Sequence, residues 1–134
     1  MQGDVETDLI RQAAAVAVPR ALGPTAEAAS VGAALLAGDG RVFTGVCLDA
    51  ACAVGFCAEQ AAIGALVTAG LSRIDIMVAA DGTGRVMPPC GRCRELTLQI
   101  NPANRATRVL LPGGGYARLG DLMPDNWLDD RTKT

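Results

Sequence analysis

Cys57-Ala58-Glu59 and Pro89-Cys90-Gly91-Arg92-Cys93 restrict this chain more than any other stretch. Three thiols and one carboxylate stand at spacings suited to one metal ion with an attendant acid/base, so the fold must bring two distant segments together. Cys90 and Cys93 occupy i and i+3 at a helix start, which puts both sulfurs on one face of its first turn, able to chelate one ion. Cys57 begins another helix. Glu59 would point about 200° away from it on a regular helix, so a metal cannot lie along that helix's side. It must sit over the N-terminal end, where Glu59 can reach round to it. Two strand-to-helix junctions then converge, with their helix N-termini aimed at a shared point, as in the ligand crevices of open α/β sheets.

Three thiolates on Zn²⁺ leave a net charge of about −1 before water binds, which opposes ionising that water, so something positive must compensate. The helix ends supply part of it, and Arg92 and Arg94 are the candidates nearest in sequence. Three protein ligands also keep a fourth position open, as a catalytic zinc requires and a closed Cys₄ site does not. Glu59 is adjacent and non-ligating, so it can take a proton from water and pass it to a leaving group. A lone Cys90-x-x-Cys93 would read as a redox dithiol or half a structural zinc knuckle. The added Cys57 and Glu59 argue against both. A silent zinc-binding protein serving assembly is the rival from another class, and a structural zinc needs no adjacent carboxylate. Cys47 and Cys52 lack matching spacing and read as buried or loop thiols.

Composition narrows the chemistry further. The chain has no histidine, which removes every Ser-His and Cys-His nucleophile pair and leaves acid/base work near neutral pH to a carboxylate. Its 134 residues fit one domain spanning 1–134, with a core built from small aliphatics because aromatics make up only 3%. A net charge of −2 offers no footprint for a nucleic-acid polymer and favours a small free substrate. No apolar run approaches the ~20 residues that cross a bilayer. With an odd count of five cysteines and no secretory segment at Met1-Gln2-Gly3-Asp4, the expected setting is the cytoplasm, with reduced thiols.

Along the chain, Asp4 is the expected cap of a helix with Leu9, Ala13, Val16 and Ala17 at helical spacing, stopped near Val18 by Pro19. Leu22-Gly23-Pro24-Thr25 reads as a turn. Ser30 to Ala37 is apolar enough for a strand covered on both faces. Gly38-Asp39-Gly40 turns it into a hairpin whose second arm runs from Arg41 to Cys47, and Leu48 to Gly55 reads as a loop. A second helix carries Ala58, Ala61, Ala62, Ala65, Leu66 and Ala69 on one small face and stops at Gly70. Strands follow at Ile74 to Ala80 and Thr107 to Leu111, flanking a helix from near Cys90 to before Asn101-Pro102. A short helical turn at Leu119 to Met123 precedes Trp127, read as a packing residue, and a polar end. The order α-β-β-α-β-α-β predicts one α/β sheet layered with helices.

These residues resemble the cytidine deaminases, within the wider zinc nucleoside and base deaminases, whose cysteine-form signature is Cys-x-Glu followed by Pro-Cys-x-x-Cys. The likeness runs from about Ser30 to Leu122. It includes Val31-Gly32-Ala33-Ala34-Leu35, the hairpin Gly40-Arg41-Val42-Phe43-Thr44-Gly45-Val46, Pro89 to Glu95, and Leu119-Gly120-Asp121-Leu122-Met123-Pro124. The resemblance implies a three-layer α/β/α sheet of about five strands, assembled as a homotetramer. It implies Cys57, Cys90 and Cys93 as zinc ligands, Glu59 as proton shuttle, and backbone groups near Ala58 and Pro88 holding the base. Zinc-dependent deamination of a cytosine-type nucleoside or related heterocycle is the expected reaction.

The departures fall where such enzymes read the nucleoside. Where the family carries Asn-x-Glu for the ribose hydroxyls, this chain has Cys47-Leu48-Asp49. The aromatic that packs on the pyrimidine is missing from Ala28-Ala29-Ser30, which leaves Phe56 or Trp127 to replace it. The Arg that commonly follows the catalytic Glu is Gln60. Loss of the ribose-reading pair is similar to the blasticidin-S deaminase branch, so a modified nucleoside is the alternative substrate.

Overall fold

The structure is a computed structural model and describes residues 2–132. Strand β2 (Ala26–Ala37) is its spine. Ala33, Leu35 and Ala37 of β2 pack with Ala58, Ala62, Ile63 and Leu66 of helix α2 (Ala58–Thr68), while Ala34 packs with Leu9 and Ala13 of helix α1 (Gln2–Val16). The neighbouring strand β4 (Ile74–Ala80) repeats the division, sending Met77 and Ala79 to the α2 side and Ile76, Val78 and Ala80 to the α1 side. Each strand therefore buries both faces along its central part, which is why Val31 to Ala37 and Ile76 to Ala80 read as continuous apolar runs. Helix α3 (Gly91–Ile100) joins the α2 layer, where Ile100 packs on the same cluster. The three-layer α/β/α arrangement predicted from the resemblance is the one observed.

Among the described residues the sheet has seven strands. Strand β3 (Val42–Ala50) runs antiparallel along one edge of β2. The other edge is shared by β1 (Arg20–Gly23), beside Glu27 and Ala28, and by β4, beside Gly32 to Ala37. The far edge of β4 is shared in the same way by β5 (Val86–Met87) and the parallel strand β6 (Arg108–Leu110), beyond which lies β7 (Tyr116–Arg118). Sharing of edges makes the sheet about five positions wide (β3, β2, β1 with β4, β5 with β6, β7), which reconciles seven strands with the expected five.

Several boundaries differ from the sequence reading. Helix α1 begins at Gln2, so Asp4 lies inside its first turn rather than capping it. Leu22 and Gly23 belong to β1, and only Pro24 and Thr25 turn. Strand β2 starts at Ala26 because a bulge at Ala29, with φ 71°, lets it pair on both sides of the irregularity. β3 consequently runs on to Ala50 through part of the expected loop, and a 3₁₀ turn (Ala51–Ala53) follows. Another 3₁₀ turn occupies Pro102–Ala106, and the expected helical turn in the tail covers Leu119–Leu122. Beyond it, Asn126 accepts from the Asp129 N–H at 2.9 Å and caps a final helix α4 (Trp127–Thr132) where a polar end was expected. Trp127 is 53% exposed, so it is not the core packing residue the sequence suggested.

Candidate metal centre

Cys57 is the N-cap of α2 and Cys90 the N-cap of α3, both in extended backbone conformation and neither with a side-chain capping bond. N-caps usually offer an oxygen to the helix's free N–H groups; here the position carries a thiol directed elsewhere. Cys93 follows in the first turn of α3 and is fully buried. The Cys57 and Cys90 sulfurs are 3.4 Å apart, as are those of Cys90 and Cys93, and all three lie within 4.8 Å of one another. Tetrahedral zinc with bonds of about 2.3 Å sets its sulfurs roughly 3.8 Å apart, so this thiol triangle fits Zn²⁺.

The ends of two helices meet because two short tethers bring them there. Leu48 and Phe56 exchange backbone hydrogen bonds of 3.0 and 2.9 Å, closing the loop before Cys57. Gly55 fits inside that closure: a Cβ there would lie 2.1 Å from the Leu48 carbonyl oxygen. On the other side, Arg94 donates from Nε to the Pro89 carbonyl at 2.9 Å and from Nη1 to the Leu122 carbonyl at 3.2 Å. Arg92, exposed at the same helix start, lines the cavity described next, whereas Arg94 is not among its lining residues.

Glu59 lies in the first turn of α2 and is 5% exposed. Burial pushes its carboxyl above the usual carboxylate range, opposed by its own backbone N–H and by the Cys93 thiol. Burial likewise raises Cys93, with the Glu59 charge adding to it, and raises Cys57, with the Cys90 thiol adding to it. Burial also works against ionising Cys90, but hydrogen bonds from the Cys93 backbone, the neighbouring thiols and the Arg92 backbone together outweigh it and hold that thiol low. The site thus has one carboxyl poised to carry a proton and one thiol that ionises more readily than its neighbours.

A cavity of about 510 Å³ opens on this cluster. Cys57, Glu59 and Cys90 line it, and so do all four predicted substrate contacts, Ala58, Pro88, Cys47 and Asp49. Phe56 lines it and is 41% exposed; Trp127 does not contribute to its wall. Ser30, Val31 and Met87 line it as well, and sequence reasoning missed them. Ser30 and Val31 stood within an apolar strand with no polar pattern to mark them, and Met87 belongs to a two-residue strand too short to carry a period. Cys52 lies in the 3₁₀ turn Ala51–Ala53, exposed, with φ 61°, and is not part of the thiol triangle.

Comparison with known proteins agrees with this geometry. The family model for the cytidine and deoxycytidylate deaminase zinc-binding region matches residues 6–107. A cytidine deaminase of Mycobacterium tuberculosis is 38% identical over 130 residues, covering 95% of this chain and 94% of its own. The crystal structure of cytidine deaminase from Mycobacterium tuberculosis superposes with a TM-score of 0.76 at 34% identity, over 91% of this chain and 96% of that one. The Mycobacterium leprae cytidine deaminase structure gives 0.75 at 28% identity, over 90% and 98%.

Proposed function

The chain belongs to the cytidine and deoxycytidylate deaminases with a zinc-binding region, a family of zinc-dependent hydrolases, and from that premise we propose that it hydrolytically deaminates a free cytosine-type nucleoside or nucleoside analogue, releasing ammonia. The observation that carries this reading is the placement of buried Glu59 beside the Cys57–Cys90–Cys93 triangle on the wall of one cavity.

Zinc held by the three thiolates supplies the Lewis acidity that makes water nucleophilic near neutral pH. The remaining steps belong to the chain. Glu59 accepts a proton from the attacking water as its oxygen bonds to the amine-bearing ring carbon. The same carboxyl passes that proton to the ring nitrogen, then takes the second proton from the hydroxyl now on the ring carbon and gives it to the amine; the C–N bond breaks, the C=O bond forms and ammonia leaves. Its raised pKa suits both halves of that exchange. The Ala58 N–H, in the first turn of α2 where amides have no intrahelical acceptor, donates to the base carbonyl. The Pro88 carbonyl accepts from the amine. Arg92 and the two helix N-termini offset the negative thiolate set, and Arg94 contributes through the loop it grips. Cys47 and Asp49 face the sugar.

The whole chain acts as one deaminase domain in this reading, and the partner is a small nucleoside rather than a nucleic-acid polymer. A cytoplasmic setting is supported by five cysteines that are all free of disulfides. Among the described residues no helix is long and apolar enough to cross a membrane. Assembly as a homotetramer belongs to the same reading, and the exposed Val54 and Phe56 of the loop before Cys57 are apolar surface that a neighbouring copy would cover.

Measuring zinc per chain and following ultraviolet loss over cytosine and adenine nucleosides tests the reaction. Glu59→Gln is expected to keep one zinc per chain and to lose turnover by about 10²–10⁴-fold. Full activity in that variant would sink the mechanism.

A further inference from the structure

The three thiols of the metal triangle are not equivalent. Cys90 is exposed and Cys57 half-buried, and both line the cavity, whereas Cys93 is fully buried and does not. Cys90 is also the central member, its sulfur 3.4 Å from each of the other two. Cys57 and Cys90 are N-caps, and neither side chain is spent on a capping bond. Cys93 is instead fixed within the first turn of α3, where its carbonyl accepts from the Thr97 hydroxyl at 2.7 Å. A disulfide requires two sulfurs to close to about 2.05 Å. The Cys57–Cys90 pair reaches that by turning two side chains at helix ends; the Cys90–Cys93 pair must draw a packed side chain out of its turn.

A cavity wide enough for a nucleoside and water also admits a small hydroperoxide. Zinc holds its sulfur ligands as thiolates, the form that attacks peroxide. We propose that Cys57 and Cys90 form a reversible oxidative switch on this site: a hydroperoxide joins them in a disulfide and the zinc leaves. The Cys90 thiolate attacks a peroxide oxygen, the O–O bond breaks, and Cys90 becomes a sulfenic acid while the departing hydroxide takes a proton from solvent. The Cys57 thiolate then attacks the Cys90 sulfur. The S–S bond forms, the S–O bond breaks, and the second oxygen also leaves as hydroxide and is protonated. The two thiolates give up one electron pair in all, which reduces hydrogen peroxide to two waters. Of the three ligands only Cys93 then remains, too few to hold the metal. The new bond closes a loop across 33 residues of chain, which restrains the unfolded state and keeps the fold ready for reduction and reloading. The inference rests on the zinc site of the deaminase reading above and concerns its regulation, not its substrate.

The test treats the zinc-loaded protein with hydrogen peroxide and follows zinc with a chromophoric chelator, free thiols with a thiol reagent, and the mass of the denatured chain. Two thiols are expected to disappear for each zinc released, with a mass loss of about 2 Da per chain. Dithiothreitol followed by zinc is expected to restore the metal and the turnover. Arg92 stands between Cys90 and Cys93, so trypsin separates the two. The expected product is a cross-link between peptides 42–73 and 86–92, placed at Cys57 by fragmentation. The same link is expected in Cys52→Ser. A Cys90–Cys93 link, or a bond to Cys47 or Cys52, would overturn the pairing. Zinc retained through the oxidation, or a gain of about 32 Da to a sulfinic acid in place of the disulfide, would overturn the switch itself. None of these readouts needs a nucleoside. Zinc release with the expected link, in a protein that turns over no cytosine nucleoside, would therefore leave the switch standing and remove the deaminase reading.

Discussion

Arg94 donates from Nε to the carbonyl oxygen of Pro89 at 2.9 Å, so a side chain of α3 holds the peptide immediately before the ligand Cys90. Pro88 and Pro89 have no N–H, so this segment can be anchored only through its carbonyls or its packing. The other end of the guanidinium grips the Leu122 carbonyl, and Leu119 in the same 3₁₀ turn is fully buried and bonded to Thr107. The ligand loop is thus tied to the sheet through the tail. Arg94→Ala is expected to speed zinc release about 10–100-fold, the usual effect of losing an outer-shell partner, as read by competition with a chromophoric chelator. Arg94→Lys, which keeps charge but not the planar fork, is expected to fall between. Zinc release at the wild-type rate in a folded Arg94→Ala would show that the loop holds itself.

What could be read from the sequence follows from physical constraint. Cys57, Cys90, Cys93 and Glu59 were legible because chelation and proton transfer tolerate few residue types at few spacings. Strands β2 and β4 were legible because helices cover both faces, so their central residues, Val31 to Ala37 and Ile76 to Ala80, are uninterrupted small or apolar side chains. β1, β5 and β7 were not, since each is two to four residues long, has no buried residue, and is held by pairing to a neighbouring strand's edge. The extension of β3 depended on Ala29 taking φ 71°, a conformation its side chain gives no hint of. The cavity wall was half legible: Cys47 and Asp49 stood out by position, whereas their partner Ser30 is placed by the register of two strands that meet across the hairpin.

Asn104 is fully buried and joins three elements with one amide. Its Oδ1 accepts from the Ile74 N–H at 2.9 Å, and its Nδ2 donates to the Ser72 and Thr97 carbonyls, both at 2.9 Å. Asn104→Ala strands these groups where water does not reach. Each stranded group costs about 1–3 kcal/mol, so the variant is expected to lose roughly 3 kcal/mol or more in denaturant unfolding. Asn104→Asp keeps the acceptor but removes both donors and buries a charge, and is expected to be no better. A loss below about 1 kcal/mol in either would mean that a water enters and replaces the amide.

Helix α2 lies so close to β3 that Gly45 has no room for a side chain. A Cβ there would stand 2.4 Å from the Ala62 nitrogen and 2.8 Å from the Ala58 carbonyl oxygen, both rigid backbone. Gly45→Ala must push α2 outward and take Cys57 and Glu59 with it. A destabilisation of about 1–3 kcal/mol is expected, together with weaker zinc binding. Gly64, within the same helix, has nothing within 4 Å of a Cβ and serves as the control. Gly64→Ala is expected to stabilise by about 0.5–1 kcal/mol through helix propensity alone. Equal effects of the two substitutions would contradict the close packing of α2 on β3.

Zinc binding should also report the protonation of the three thiols. Burial holds the Cys57 and Cys93 thiols above their ordinary pKa, so both carry protons at neutral pH in the metal-free protein; Cys90 is held below. Zinc takes thiolates, so binding near pH 7 is expected to release about two protons, or three where Cys90 is still protonated. Its affinity then rises by roughly 100-fold or more per pH unit, and falls by the same factor as the medium is acidified. The metal-free fold follows the opposite sign. A thiol whose folded pKa is raised stabilises the fold below the unfolded value of about 8.5 and loses that contribution as pH climbs towards the folded value. Raising the pH from 7 to 10 is therefore expected to lower the melting temperature of chelator-stripped protein while tightening zinc. Calorimetry in buffers of different ionisation enthalpy counts the protons, and melting scans with and without chelator give the second sign. Release of no protons at pH 7 would mean that the thiols are ionised before the metal arrives.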